Sequence, residues 1–455
     1  NFIFFPILFI FFLSDYNSNK WKSFKIGWLF GFGYFLSNIY WITNSLTFDH
    51  QFKNLILFAL IIIPLFLGLF YGLITFFCSL INLRLNFSSI LIFSTVFSSV
   101  EFLRGFIMGG FPWNLHAYSW SEYINFLQIL SFTGTYAFNL LSITLFMSPL
   151  FFFIKNNLQT KIILIISIIV FITTNFYYGS TVIAKYNQNS DIKINSTLKI
   201  ISPKIKIDRF FINEEPSELI KELIILSDPS SKKDTIFIFP EGMLTSISLK
   251  NLKVYKELFS NNYSQNHKII LGINSEKNSK IFNSLIVIDN NANVLDEYNK
   301  NNLVPFGEFL PFENLFSKFG INKIIAGYQS YSGDNERKIL NINNIRFLPL
   351  ICYEIIYSGE LNKSDEDFDF IINISEDGWF GNSIGPSQHF AHNIFRAIES
   401  GKYILRSTNN GITAIINPIG VVEKKLNLNE SGYIDFTESR VMNPTLFSQY
   451  GNKIF

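Results

Sequence analysis

Long apolar runs dominate the first 180 residues, and a mixed pattern of short apolar runs and polar turns follows them. A helix needs about 20 apolar residues to cross a bilayer. Runs of that kind occupy 26–46, 55–81, 88–108, 123–154 and 162–178. The shorter segment 1–13 indicates the end of a severed helix. The pattern therefore predicts a helical membrane half.

Basic residues fall in alternate loops between these runs, and such residues stay on the cytoplasmic side. The loops at 14–25, 82–87 and 155–161 carry lysine or arginine, whereas the intervening loops hold only Lys53. With the basic loops on the cytoplasmic side, the last predicted helix ends on the opposite side of the membrane. Everything after Gly179 is then expected outside the cytoplasm.

The second half alternates strand-like and helical patterns. Strands are predicted at 198–202, 234–239, 268–272, 284–289, 294–298, 345–353, 367–374, 403–407, 412–417 and 421–424, with helices at 214–227, 250–259 and 388–400. This alternation predicts a layered α/β domain, in which ligands gather beyond the carboxyl ends of strands. Glu241 and Cys352 each end a strand-like run, and Lys300 lies just past another.

Composition agrees with a membrane protein and excludes one class of function. Of the 455 residues, 48% are hydrophobic and only 16% are charged, whereas a soluble protein has about 25% charged residues. The net charge of +2, with no basic run, argues against a nucleic-acid partner. The two cysteines, Cys78 and Cys352, do not suggest a disulfide framework.

Glu101 and Arg104 are ionisable residues within an apolar run, at a spacing that lets opposite charges pair on a helix. One interpretation is an internal ion pair that fixes helix packing. The other is a contact with lipid headgroups or with an active site near the outer interface. The aromatic residues that follow, from 111 to 120, are typical of an interfacial belt.

Three short segments carry residues with catalytic potential, although each residue alone is weak evidence. A cysteine at a strand end is more often a small buried hydrophobe than a nucleophile. The segments are 238–242 (Ile-Phe-Pro-Glu-Gly), 298–308 (Tyr-Asn-Lys-Asn-Asn-Leu-Val-Pro-Phe-Gly-Glu) and 350–354 (Leu-Ile-Cys-Tyr-Glu). Together they resemble the apolipoprotein N-acyltransferases, a membrane branch of the nitrilase superfamily. Further matching stretches are 101–105 with 111–113, 379–381 with 383–386, 388–390 and 405–411.

The resemblance extends from about Phe5 to the end of the chain and implies a fold. It implies a multi-helix transmembrane domain at 1–179, with a truncated first helix, and a nitrilase-like αββα sandwich at 180–455. The final transmembrane helix of the family is then missing. The location implied is the bacterial inner membrane, with the catalytic domain on the periplasmic side.

The resemblance also implies roles for the matching residues. Cys352 would be the nucleophile and Glu241 its general base. Lys300, helped by a backbone N–H just after the cysteine, would stabilise the oxyanion. Glu308 and Glu354 match positions that orient the lysine and line the pocket.

Tyr353 and Trp379 match family residues near the site, and ordinary aromatic packing is the alternative for both. The chain departs from the family where 204–211 has no tryptophan but offers Phe210 and Phe211. It departs again at 376–378, where Glu-Asp-Gly replaces the more usual Asn-Asp-Ala type of sequence.

The implied reaction moves an acyl chain from a membrane phospholipid, typically phosphatidylethanolamine, through a Cys352 thioester. The acceptor is the α-amine of an S-diacylglyceryl cysteine at the N-terminus of a lipoprotein. No cofactor and no metal is required. His389 and His392 have a spacing that could bind a metal, but no further ligands stand near them in the sequence.

An apolar segment at 315–328 interrupts the polar second half and suggests a mobile lid that dips into the membrane, with Phe316, Phe319 and Ile325 as its apolar side chains. A core helix is the alternative. Two other functions also stay open. One is a membrane-anchored amidase or nitrilase-type hydrolase, in which water takes the acyl group. The other is a transporter or lipid-binding scaffold, although the expected broken helices and midplane charges are scarce.

Overall fold

The structure, a computed structural model, describes residues 1–13, 19–154, 158–212, 215–230, 232–311, 330–335, 337–361 and 366–455. The proposed lid at 315–328, with Phe316, Phe319 and Ile325, lies outside the described residues. The predictions for that segment therefore remain predictions.

The first half of the chain is helical. Its helices are α1 (Phe4–Phe11), α2 (Lys20–Ile39), α3 (Ile56–Leu80), α4 (Phe87–Arg104), α5 (Ile124–Leu127), α6 (Leu130–Phe146) and α7 (Leu158–Gln188). Four helical stretches in the described part of the chain are long and apolar enough to cross a membrane: Phe52–Leu80, Phe87–Arg104, Leu130–Phe152 and Leu158–Gln188. These stretches confirm the multi-helix membrane half.

The first predicted span, 26–46, is not among these four stretches. Helix α2 begins at Lys20 and ends at Ile39, and a 3₁₀ helix follows it. It nevertheless packs closely on α3. The two backbones approach so near that a Cβ added at Gly31 would lie only 2.9 Å from the Gly68 Cα. Such small residues let neighbouring helices approach closely in membranes.

The second half contains two β-sheets. Their strands are β1 (Asp191–Ser202), β2 (Thr235–Ile238), β3 (Leu244–Ser248), β4 (Lys268–Lys277), β5 (Lys280–Asp289), β6 (Val294–Asn299), β7 (Leu340–Ile342), β8 (Ile345–Ile351), β9 (Phe370–Glu376), β10 (Tyr403–Asn409), β11 (Thr413–Ile416), β12 (Val422–Leu426) and β13 (Gly432–Arg440). In the described residues, the first sheet has the order β13-β1-β2-β4-β5-β6 with β3 beside β4. The second has the order β12-β11-β10-β9-β8-β7.

Helices cover the outer faces of the two sheets, and the described ones are α8 (Pro216–Ser227), α9 (Lys256–Asn262) and α10 (Gly385–Ser400). A further short helix, α11 (Leu446–Tyr450), packs on α6. Apolar side chains of both sheets, among them Ile238 and Ile372, fill the space between them. Helices α8 and α9 pack on the first sheet, and α10 packs between the second sheet and the membrane half. This arrangement is an αββα sandwich, as the resemblance implied.

The strand directions bring several carboxyl ends to one edge of the sandwich. Strands β1, β2 and β4 are parallel, and β6 runs with them because both β6 and β4 are antiparallel to β5. In the second sheet β8, β9 and β10 are parallel. The residues that follow β2, β6 and β8 are those that the sequence singled out.

Candidate active site

Glu241 lies in the turn after β2, with its carboxylate buried between the two sheets. Its Oε1 accepts a hydrogen bond from Asn283 Nδ2 at 2.7 Å, and its Oε2 accepts one from the Glu376 backbone N–H at 3.0 Å. Gly272 of β4 permits this turn, because a Cβ there would lie 2.7 Å from the Glu241 Cα. The carboxylate is therefore fixed in orientation from both sheets.

Lys300 follows β6 and is almost completely buried, with 1% exposure. Its Nζ lies 3.3 Å from Glu241 Oε1 and 3.0 Å from Glu308 Oε1. Burial alone would lower the pKa of Lys300, but the carboxylates of Glu241 and Glu308 raise it well above its usual value. Lys300 is therefore a fixed cation held between two carboxylates.

Glu308 is held in place by the loop that carries it. Its Oε2 accepts a hydrogen bond from the Val304 backbone N–H at 2.8 Å. Its Oε1 accepts one from Asn283 Nδ2 at 2.8 Å in addition to the bond from Lys300. Glu308 therefore contacts the Lys300 ammonium directly.

Cys352 follows β8 at the start of a short 3₁₀ helix, Cys352–Ile356. Its φ of 50° is rare for a residue with a side chain and costs about 1–3 kcal/mol, so the surrounding structure must hold it. Burial and then Glu241 raise the pKa of the thiol well above its usual value, whereas Lys300 lowers it. Glu241 and Lys300 therefore shift the pKa of this thiol in opposite directions.

Glu354 is fully buried and does not touch the Lys300 side chain. Its Oε1 accepts hydrogen bonds from the Asn301 backbone N–H at 2.9 Å and from the Tyr298 hydroxyl at 2.8 Å. Its Oε2 accepts one from the Ile351 backbone N–H at 2.8 Å. Glu354 therefore ties the loop of the lysine to the turn of the cysteine.

Tyr353 and Trp379 both contact the membrane half. The Tyr353 hydroxyl donates to the Gly110 carbonyl at 2.9 Å. The Trp379 ring lies 5.8 Å from the Phe48 ring and 4.9 Å from the Phe210 ring, centroid to centroid. Phe210, which occupies the region where the family often has a tryptophan, is therefore part of an aromatic cluster beside the Glu241 turn.

Two family models match the two halves of the chain. One, described as the apolipoprotein N-acyltransferase N-terminal domain, matches residues 1–147, and one described as carbon-nitrogen hydrolase matches residues 230–438. The apolipoprotein N-acyltransferase of Rickettsia prowazekii is 34% identical, covering 99% of this chain and 91% of that protein. The chain belongs to the apolipoprotein N-acyltransferase family.

The chain is also similar to a second curated protein and to solved structures. The apolipoprotein N-acyltransferase of Agrobacterium fabrum is 30% identical, covering 92% of this chain and 80% of that protein. XC1258 from Xanthomonas campestris, a CN-hydrolase superfamily protein, has a TM-score of 0.38 and 14% identity. That similarity covers 54% of this chain and 91% of that one.

Sequence reasoning missed Asn283. In this member of the apolipoprotein N-acyltransferase family, its side chain lies between the carboxylates of Glu241 and Glu308. Asn283 lies inside β5, and its carbonyl accepts a hydrogen bond from the Lys300 backbone N–H at 2.9 Å. Its side chain donates to both Glu241 and Glu308. In the sequence it is one more asparagine in a strand, so no local signal distinguishes it.

Sequence reasoning also missed Arg209, which forms a buried ion pair with Glu376 at 2.5 Å. Arg209 Nε also donates to the Gly242 carbonyl at 3.0 Å. The Glu376 N–H bonds the Glu241 carboxylate and Arg209 bonds the next residue, Gly242, so this ion pair supports the Glu241 turn through both of its members. The departure from the family pattern at 376–378 is thus accommodated by an arginine from the loop after β1.

The membrane half contains its own buried polar cluster and a cavity. Arg104 Nη2 lies 3.6 Å from Glu101 Oε1, and both side chains are buried, which supports the internal ion pair among the two interpretations.

A cavity of about 650 Å³ lies between α2, the loop at 113–121 and the first turns of α10. Its lining does not include Glu241, Lys300 or Cys352.

Proposed function

We propose that Cys352 is the nucleophile, Glu241 the general base and Lys300 the oxyanion-stabilising cation of an acyl-transfer site. The observation that carries this proposal is the meeting of the three groups across the sandwich. Lys300 contacts the Glu241 carboxylate, which is bonded to the Glu376 N–H at the end of β9, and β9 is paired with β8, the strand that leads into Cys352. A raised pKa leaves the sulfur protonated, so it needs a base at the moment of attack.

The first step acylates the enzyme. Glu241 takes the proton from Sγ of Cys352 while Sγ bonds to the ester carbonyl carbon of a phospholipid. The Lys300 ammonium and the Tyr353 backbone N–H stabilise the negative charge on the carbonyl oxygen. Collapse of this intermediate breaks the ester C–O bond, the glycerol oxygen takes the proton from Glu241, and a lysophospholipid leaves.

The second step transfers the acyl chain. The α-amine of the acceptor attacks the thioester carbon, a C–N bond forms and the C–S bond breaks. Glu241 takes the proton that the amine loses and returns it to the sulfur of Cys352. Because the two substrates use one site in turn, ping-pong kinetics follow.

As a member of its family the protein is an acyltransferase with a membrane phospholipid donor and a lipoprotein acceptor. We propose phosphatidylethanolamine as the donor and the S-diacylglyceryl cysteine of an apolipoprotein as the acceptor. The contacts of Tyr353 and Trp379 with the membrane half support lipid substrates, because both residues touch segments that connect the apolar helices, at Gly110 and Phe48.

We further propose that residues 1–179 form the membrane domain in the bacterial inner membrane and that residues 180–455 form a periplasmic catalytic domain. The alternation of basic loops supports this orientation. Single cysteines at Val254 and Lys22, both exposed, test it in a chain without Cys78 and Cys352. A membrane-impermeant maleimide applied from the periplasm should label the first and not the second; the reverse would overturn the orientation.

The reaction is tested by incubating the detergent-solubilised chain with phosphatidylethanolamine, with and without a diacylglyceryl-cysteine peptide, and measuring intact masses. An acyl mass on the protein should disappear as the peptide gains an amide-linked chain. Cys352→Ala should abolish both signals. Cys78→Ala is the matched control and should keep both, because Cys78 is buried in α3. Decay of the acyl-enzyme to free fatty acid would instead indicate a hydrolase.

A further inference from the structure

His389 lies on α10, fully buried behind the nucleophile turn. Its Nε2 is 3.3 Å from the carbonyl oxygen of Cys352, and its Nδ1 is 2.9 Å from Asp377 Oδ1. The Cys352 carbonyl can only accept, so its bond needs a hydrogen on Nε2. A bond from Nδ1 to the ionised Asp377 needs a second hydrogen, so the ring makes both bonds when both nitrogens are protonated. This histidine therefore contacts the backbone of the nucleophile and not its sulfur.

Asp377 anchors the ring from the other side. Its Oδ2 accepts a hydrogen bond from Arg406 Nη2 at 2.7 Å, and its Oδ1 accepts one from Ser375 Oγ at 2.8 Å. Burial would raise the pKa of Asp377, but the Arg406 guanidinium and His389 hold it to about 2. Arg406 Nη2 also lies 3.2 Å from Nδ1 of His389. The ionised Asp377 and Arg406 therefore border the side of the ring that faces away from Cys352.

The bond to the Cys352 carbonyl has a consequence for the next residue. The carbonyl of residue 352 and the N–H of residue 353 belong to one planar peptide group, in which they point in opposite directions. A carbonyl anchored on α10 therefore directs the Tyr353 N–H away from α10. The same bond restrains Cys352 at its φ of 50°, which residues with side chains rarely adopt.

We propose that His389, held by Asp377 and Arg406, is a positioning residue that sets the Tyr353 N–H as an oxyanion donor for acyl transfer. The proposal rests on the function proposed above, because it takes Cys352 as the nucleophile. It gives His389 no part in proton transfer.

Two reactions of the same sulfur test the proposal. Acylation by phospholipid forms an oxyanion, whereas alkylation by iodoacetamide is a direct displacement that forms none. His389→Leu should lower the acylation rate by up to about 10²–10³-fold, the usual cost of one lost oxyanion donor. It should change the alkylation rate of Cys352 little, because that rate depends on the thiolate. Intact mass spectrometry follows both products.

Two further variants separate this role from simple packing. His389→Gln keeps an N–H donor at a similar reach and should recover much of the acylation rate, whereas the shorter His389→Asn should not. This pair carries the test if the leucine variant does not fold. His392→Leu is the matched control one turn along α10, since His392 is equally buried and its ring packs on Trp113 and Tyr118.

The outcomes are distinct. Unchanged acylation in His389→Leu, or equal losses of acylation and alkylation, would overturn the positioning role. An equal loss of acylation in His392→Leu would overturn it too, because disturbed packing would then explain the effect. Acylation that survives Cys352→Ala would instead overturn the proposed function, whatever the histidine variants do.

Discussion

Glu241 in the catalytic half and Glu101 in the membrane half are both buried beside a basic side chain, but their surroundings differ. Glu241 shares Lys300 with a second carboxylate, Glu308, so the cluster holds more carboxylates than cations. Glu101 has Arg104 at 3.6 Å and accepts hydrogen bonds from Tyr71 and from Asn139. The first cluster has two carboxylates for one cation, whereas the second has one carboxylate for one cation.

The difference shows what each cluster can do. Excess carboxylate beside a protonated thiol provides a place for the proton that the thiol must lose. The Glu101 cluster instead joins three helices, since Tyr71 lies on α3, Asn139 on α6 and Glu101 on α4. A balanced buried pair of this kind fixes packing and is costly to break from one side. Variants that remove one charge from each cluster therefore test the comparison directly.

Glu241→Gln should have the largest effect on activity. The amide retains the size of the carboxylate and can still accept from Asn283, but it cannot take the thiol proton. The rate of acyl-enzyme formation should fall by about 10²–10⁴-fold, the usual contribution of a general base. Rapid-quench mass spectrometry of the protein after addition of phospholipid measures it. A rate close to that of the unaltered protein would remove Glu241 from the mechanism.

Lys300→Gln should also slow acylation, by about 10²–10³-fold, because an oxyanion stabiliser is lost. It should shift the pKa of the Cys352 thiol in the opposite direction to Glu241→Gln. Lys300 lowers the pKa of Cys352 and Glu241 raises it. The pH midpoint of iodoacetamide alkylation should therefore rise in Lys300→Gln and fall in Glu241→Gln. Shifts in the same direction would contradict the charge arrangement.

Asn283→Ala should have an intermediate effect. It removes two hydrogen bonds to carboxylates, and bonds to charged groups contribute about 1.5–3 kcal/mol each. We expect a loss of about ten- to a hundred-fold in acylation, equivalent to about one such bond, because both carboxylates keep their contacts with Lys300 and each 1.4 kcal/mol corresponds to a factor of ten. Asn283→Ser, which keeps one short donor, is the milder comparison variant. An Asn283→Ala enzyme with full activity would mean that Lys300 and the Glu376 N–H are enough to orient Glu241.

The sequence predicted the parts of the site that local motifs carry and missed the parts that depend on tertiary pairing. Glu241, Lys300 and Cys352 each lie in a short segment with its own pattern. Asn283 becomes a site neighbour only through the register of β5 with β6, which no local pattern reveals. The Arg209–Glu376 pair likewise joins distant segments across the two sheets.

The same limit applies to the fold. The buried strands β8 and β9 were predicted because their apolar runs, bounded by polar turns, are distinctive. Strand β13 was missed because it lies at a sheet edge, where polar residues alternate with apolar ones. The helix predicted at 250–259 is divided into a 3₁₀ segment, Leu249–Tyr255, and α9, because helical spacing does not distinguish the two.

Glu101→Gln should have the smallest effect on chemistry and a clear effect on stability. It leaves the Arg104 guanidinium buried without a counter-charge, and breaking a buried ion pair from one side costs about 3–5 kcal/mol. The thermal unfolding midpoint in detergent should fall while the rate of acyl-enzyme formation stays unchanged. The double variant Glu101→Gln with Arg104→Gln should recover part of the lost stability, because no unpaired charge remains. A double variant less stable than the sum of the two single changes would contradict this account. A selective loss of acylation in Glu101→Gln would mean that the membrane cluster acts on the site, and the contrast with Glu241 would fail.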